Sequence, residues 1–182
     1  SVMVWILFLV ALLGALMARP TTEPDPIVTT PWAIAHGILM ALSAAMIFLA
    51  STNGFLYLFC SKKLKQKKVL KVLGRVPNLE KLKILNMFGL KACFVLLSFG
   101  LASGLGMAIA RSAMIDMSIW DWFKDSKVVL ILTAWFLLGL ILFVRTVFGF
   151  KEKTIAYMTL AIFFLILFAT VGTGLFCKTR HD

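Results

Sequence analysis

Five long apolar segments follow one another along the 182 residues of this chain, separated by short polar connections. A helix needs about 20 consecutive apolar residues to cross the hydrocarbon core of a bilayer. Hydrophobic residues make up 61% of the sequence, against roughly 45–50% in soluble domains, which argues against a water-soluble fold. We therefore predict an all-α, polytopic membrane helical bundle forming a single domain over residues 1–182. The five spans are expected at residues 2–17, 32–60, 85–110, 128–148 and 155–176.

Basic residues concentrate in the connection between the second and third spans, residues 61–84, where Glu80 is the single acid. Basic connections stay in the cytoplasm, so this loop orients the bundle. The loop over residues 111–127 is then external, the N-terminus lies inside and the C-terminus outside. This topology accounts for the net charge of +11, and we expect no nucleic-acid partner. A bacterial inner membrane fits the pattern, as does an organelle membrane of bacterial descent.

Two interpretations compete for the first segment, residues 2–17: a true span, or a signal-like segment that is not cleaved. Leu16-Met17-Ala18 is a poor small-x-small cleavage site, which favours a span. We also expect the full gene product to extend upstream of Ser1.

The cysteines and the other reactive residues exclude several chemistries by motif. No C-x-x-C or C-x-x-C-H occurs, which excludes a thioredoxin-like redox pair and a covalently attached c-type haem. The sequence also lacks a nucleophile–base arrangement, a glycine-rich phosphate loop and a cluster of zinc or copper ligands. We therefore expect a carrier or scaffold more than an enzyme.

His36 lies near the external end of the second span. An ionisable residue within a span marks a functional site by default. At helical spacing its neighbours on one face are Ala33, Met40, Ser43 and Ala44, all small or flexible, so this face can accept a flat ligand such as a porphyrin. The alternative is a structural histidine that is hydrogen-bonded to a neighbouring helix or to interfacial water.

Trp120, Asp121 and Trp122 lie in the external loop, on the same predicted side of the membrane as His36. Haem iron takes an imidazole ligand, and the macrocycle can stack on indole rings. The shared side therefore predicts a haem site near the outer leaflet.

Several short motifs along residues 32–176 together resemble the cytochrome c assembly family of haem-handling membrane proteins. In the first half of the chain they are Trp32-Ala33-Ile34-Ala35-His36 for W-x-x-x-H, Leu64-Lys65 for L-K, and Val76-Pro77-Asn78-Leu79-Glu80 followed by Leu82 for L-P-x-L-x-x-L/M. In the second half they are the glycine-ended span Phe94 to Gly104, Asp125-Ser126-Lys127 for D-P-K with Trp135 after it, and Arg145 with Gly149-Phe150-Lys151 for R then G-W-R-G. Their order and spacing are more specific than any one of them.

In that family the external tryptophan-rich loop and the flanking histidines bind haem during cytochrome c maturation. The resemblance therefore implies that His36 is an axial haem ligand. It also implies that Trp120, Asp121, Trp122 and Lys127 belong to the haem-facing loop. The implied partners are haem and other membrane proteins of a cytochrome assembly or respiratory complex.

Two positions depart from the family pattern. Trp120-Asp121 is not followed by P-K-E, and Phe176 stands where a second histidine is expected. Because phenylalanine cannot bind iron, several possibilities stay open: a sixth ligand from Met114, Met117 or His181, haem bound on one side, or a lost site. A lost site corresponds to the alternative function, a degenerate structural subunit without haem in a larger, respiratory-type membrane complex.

Overall fold

The computed structural model of the chain describes residues 31–65, 78–112 and 124–172, and the regular structure in these ranges is helical. The helices in chain order are α1 (Pro31–Lys65), α2 (Leu79–Ser112), α3 (Ser126–Phe148) and α4 (Glu152–Leu167), with a π-helical extension over Phe168–Gly172. Each of the four is long and apolar enough to cross a membrane. The predicted all-α membrane bundle is therefore confirmed, while the predicted span 2–17 lies outside the described residues.

The helices extend beyond the apolar spans into charged sequence. Helix α1 continues past Cys60, where the predicted span ends, to Lys65. Helix α2 begins at Leu79, where the side-chain Oδ1 of Asn78 accepts a hydrogen bond of 2.9 Å from the backbone N–H of Glu80. Asn78 is thus the N-cap of α2, and asparagine is among the residues that favour this position. Hydropathy marks only the part of a helix that lies in hydrocarbon, so a helix that continues into the head groups is longer than its span.

Helices α1 and α2 form a close antiparallel pair. A Cβ atom added at Gly89 would lie 2.9 Å from the Cβ of Ala50 and 3.0 Å from the carbonyl oxygen of Met46. Small residues at such crossings allow membrane helices to approach closely and gain van der Waals contact. Asn86 adds a polar link, because its Nδ2 donates to the carbonyl oxygen of Ala50 at 2.8 Å and lies 3.4 Å from the Oγ1 of Thr159 on α4.

The antiparallel order of the helices defines two ends of the bundle. One end, here called the His36 end, holds the start of α1, the end of α2, the start of α3 and the π-helical extension. The other, the Arg145 end, holds the end of α1, the start of α2 and the turn between α3 and α4. Across that turn, Arg145 at the end of α3 donates two hydrogen bonds, of 3.1 and 3.2 Å, to the two carboxylate oxygens of Glu152 at the start of α4.

Two apolar clusters fill the interior of the described bundle. The larger one contains Ile47, Ala50, Leu90, Cys93, Ala134, Leu138, Ile155, Ile162 and Ile166. The smaller one, here called the His36-end cluster, contains Leu97, Ile131 and Ala169, with Met40, Leu101, Leu130 and Trp135 packed against it. The smaller cluster supports the helices directly beneath the candidate site.

Candidate haem site at the His36 end

His36 lies on the second turn of α1 and is half-buried against α2. Its Nδ1 atom is 2.8 Å from the carbonyl oxygen of Gly100. A carbonyl oxygen can only accept a hydrogen bond, so Nδ1 must carry the proton and donate. In the neutral imidazole the other ring nitrogen, Nε2, is then unprotonated and holds a lone pair that can bind a metal.

Ser103 supports this arrangement from one turn further along α2. Its hydroxyl donates to the same Gly100 carbonyl at 2.8 Å and lies 3.4 Å from His36 Nδ1. Histidines that bind a metal through one nitrogen usually donate the N–H of the other to a carbonyl or carboxylate, which fixes the tautomer and the ring orientation. The contacts around Nδ1 therefore match those of a metal-binding histidine.

The same bond also fulfils the structural alternative for His36, because it joins α1 to a neighbouring helix. The two roles use different nitrogens: Nδ1 makes the interhelical bond, and Nε2 is the candidate iron ligand. A structural role for His36 therefore does not exclude a ligand role.

Trp32 lies one turn before His36, in the first turn of α1, and the residue is 54% exposed. Its indole packs over Gly106, where an added Cβ would lie 3.3 Å from the ring. The exposed indole therefore lies one turn from the imidazole and offers a surface on which a flat aromatic ligand can stack.

Gly100, Ser103 and the exposed face of Trp32 are site features that the sequence did not single out. The W-x-x-x-H motif contains a usable signal, because residues four apart lie on one face of a helix. The hydrogen-bond partner of His36 gives no such signal, since Gly100 is 64 residues away in the chain.

Lys127 is half-buried on the first turn of α3, at the His36 end. Its backbone N–H donates to the side-chain Oδ1 of Asp125 at 2.8 Å, which caps α3. Met40, one turn along α1 from His36, and Leu130, close after Lys127, both pack against the His36-end cluster. The structure therefore brings Lys127 and His36 to the same end of the bundle.

The other predicted site residues lie outside the described ranges. They are Trp120, Asp121 and Trp122 of the predicted loop, the candidate sixth ligands Met114, Met117 and His181, and Phe176. Within the described residues, no group of three or more His, Cys, Asp or Glu side chains is placed to hold a metal ion. A lone imidazole fits haem better than a bare ion, because the porphyrin itself fills four positions around the iron and the protein supplies the axial ligand.

The long apolar helices define a multi-pass helical membrane protein, with a candidate axial haem ligand near one end of its bundle. The family model of the cytochrome C assembly protein matches residues 1–181. The chain therefore belongs to the cytochrome c assembly family, as its motifs indicated, and it has a haem-related role in cytochrome c biogenesis. The comparisons with curated proteins and with solved structures give no match.

Proposed function

We propose that this protein handles haem as cargo during cytochrome c assembly and presents it near the outer leaflet through Nε2 of His36. The observation that supports the proposal is the 2.8 Å contact between His36 Nδ1 and the Gly100 carbonyl oxygen. This contact assigns the proton to Nδ1 and leaves the Nε2 lone pair for the axial position of the iron. The protein then acts as a carrier or scaffold more than as an enzyme.

The remaining residues of the site would hold the macrocycle and its side chains. Trp32 offers an exposed indole beside His36, and Trp120, Asp121 and Trp122 would cover the macrocycle from the external loop. Lys127 places a cation at the same end of the bundle, where it can pair with an anionic propionate of haem. One strong ligand together with weaker contacts suits a carrier that must pass its cargo on.

The proposed function also specifies which membrane holds the protein and how the helical bundle is oriented in it. The protein lies in the bacterial inner membrane, with the N-terminus inside, the C-terminus outside and the His36 end facing outward. The basic loop between α1 and α2 is the physical reason, because lysine-rich connections are retained in the cytoplasm. Partners of the protein would be other membrane proteins of a cytochrome assembly or respiratory complex.

Absorption spectra of the detergent-purified protein test the proposal, together with a pyridine haemochrome assay. Three forms are compared after expression with ample haem: the wild type, His36→Ala and His36→Asn. An asparagine side chain can still donate an N–H to the Gly100 carbonyl, but it has no ring nitrogen for iron. We expect a Soret band in the wild type that both variants lose.

Asn53→Ala is the matched control, because Asn53 is a buried polar residue of the same helix that bonds to Leu49 within α1. This variant should keep the Soret band. A wild-type protein without haem, or a His36→Asn protein with an unchanged spectrum, contradicts the proposal. The first outcome favours the alternative function, a structural subunit of a larger membrane complex that holds no haem.

A further inference from the structure

A groove of about 480 Å³ opens at the Arg145 end, between the first turns of α2 and the turn that joins α3 to α4. Its lining combines cationic side chains with an apolar floor. Lys83, Lys91 and Arg145 supply the positive charge, and Met87 and Phe88 supply part of the floor. The groove lies at the opposite end of the bundle from His36, so it is separate from the proposed haem site.

The positive charges of the groove are only partly compensated by the acids that line it. Arg145 is held by Glu152 through the bidentate ion pair. Within the described ranges, Lys83 and Lys91 form no ion pair with a carboxylate, and Glu80 is the one other acid in the lining. Two ammonium groups therefore remain available to an anion.

Lys91 lies inside the apolar part of α2, about 12 Å along the helix axis from Lys83. It is exposed, and the exposed residues on either side of it along α2 are Phe88, Val95 and Phe99. A lysine on a lipid-facing surface is costly unless its ammonium reaches the interface or pairs with an anion. Along α2 the cationic side chains therefore come first and the exposed apolar surface follows. A phospholipid has the same order, with a charged head group followed by acyl chains.

We propose that this groove binds an anionic phospholipid of the surrounding membrane. The head-group phosphate lies against Lys83 and Lys91, and an acyl chain follows the surface of Phe88, Val95 and Phe99. Basic pockets between membrane helices bind phospholipid head groups in this way. The continuous apolar surface beyond Lys91 is the reason to assign a lipid and not a soluble phosphate. The inference does not depend on the proposed haem function.

Native mass spectrometry of the full, detergent-purified chain tests the assignment. The probes are phosphatidylglycerol and phosphatidylcholine with identical acyl chains. We expect preferential retention of phosphatidylglycerol, and in Lys83→Gln/Lys91→Gln a loss of apparent affinity of about fivefold for each lysine removed. Lys62→Gln/Lys81→Gln is the matched control, because both of its lysines are exposed at the same end and neither lines the groove.

Equal retention of the two lipids, or equal losses in the groove variant and the control, would overturn the proposal. Glycerol phosphate, which has the head group but no acyl chains, should not displace the lipid at the same concentration. If it does, the site binds a soluble anion and the lipid assignment is wrong.

A second measurement uses the unsubstituted protein and so does not depend on how the variants fold. Phosphatidylglycerol with a photoreactive group near its head is cross-linked to the protein in detergent, and the labelled peptides are mapped. We expect labelling within residues 80–91 of α2 or within residues 145–152, which together line the groove. Labelling confined to other parts of the chain contradicts the proposal.

Discussion

The Nδ1 atom of His36 donates to the carbonyl oxygen of Gly100 at 2.8 Å, so this imidazole joins α1 to α2. The stability of the bundle and the binding of haem can therefore be separated at one position. His36→Ala removes the interhelical bond, which is worth about 0.6 kcal/mol on average in membrane proteins and at most about 1.7 kcal/mol. His36→Asn keeps a donor toward Gly100, so its free energy of unfolding should stay closer to that of the wild type.

The free energy of unfolding is measured by dodecyl sulfate titration in mixed micelles. Equal losses in the two variants would show that the bond to Gly100 adds nothing to stability. Comparison with the haem spectra of the same proteins then separates the role of Nδ1 from that of Nε2.

Gly89 and Gly100 provide a matched pair at the α1–α2 interface. At Gly89 an added Cβ would lie 2.9 Å from Ala50 Cβ and 3.0 Å from the Met46 carbonyl oxygen, so the helices themselves must move. At Gly100 the nearest atom is the flexible Met40 sulfur at 3.0 Å, which can move aside. We expect Gly89→Ala to destabilise the bundle by about 1–3 kcal/mol, and Gly100→Ala by clearly less.

Gly37→Ala is the control for this pair, because an added Cβ there meets open space. Alanine is favoured over glycine in a helix by up to about 1 kcal/mol, so this variant should be neutral or more stable. Thermal unfolding in detergent ranks the three variants. A Gly89→Ala protein as stable as Gly37→Ala would contradict the close approach of α1 and α2.

Asn86 and Asn53 are both buried amides with different partners. Asn86 donates across the bundle to the Ala50 carbonyl at 2.8 Å, while Asn53 donates to Leu49 within its own helix at 2.7 Å. We expect Asn86→Ala to lower the free energy of unfolding by about 0.5–2 kcal/mol, because it removes an interhelical bond. Asn53→Ala should change the free energy of unfolding less. Dodecyl sulfate titration of both variants measures the two changes, and an equal or larger loss in Asn53→Ala would contradict the prediction.

Gly149 ends α3 with φ of 61°, and its backbone N–H donates to the Arg145 carbonyl at 3.1 Å. A residue with a Cβ is strained in this left-handed conformation, so Gly149→Ala should cost about 1 kcal/mol. Gly149→Asn should cost less, because asparagine tolerates the conformation. The order glycine, asparagine, alanine in thermal stability is the expected result, and alanine above asparagine would contradict it.

Lys62 and Lys124 test the orientation, because both are exposed and they lie at opposite ends of the bundle. Cysteines are introduced as Lys62→Cys and Lys124→Cys in a Cys177→Ser background. The remaining Cys60 and Cys93 are 2% and 0% exposed and should not react. We expect a membrane-impermeant maleimide to label position 124 in intact cells, and position 62 only after permeabilisation. The reverse labelling pattern contradicts the proposal that the His36 end of the bundle faces outward.

Several features were predictable from sequence because they depend on local patterns. The apolar segments from 32 onward mark the four described helices, and Asn78 marks the start of α2 because capping needs only a neighbouring amide. His36 stands out as a rare ionisable residue in apolar surroundings. The motifs indicated the family. The start of α4 was predicted less well, since Glu152 is a polar residue that hydropathy assigns to a loop although it lies in the helix.

The sequence by itself determined that the chain is a membrane bundle of apolar helices with one histidine near a span end, because segment length and charge decide these properties residue by residue. Tertiary structure decided what that histidine can do. The Gly100 carbonyl that selects its tautomer reaches it only when α1 and α2 pack closely, and Lys83, Lys91 and Arg145 meet in one groove only when α2 packs beside the turn between α3 and α4. Both depend on contacts between distant parts of the chain, which no local pattern encodes.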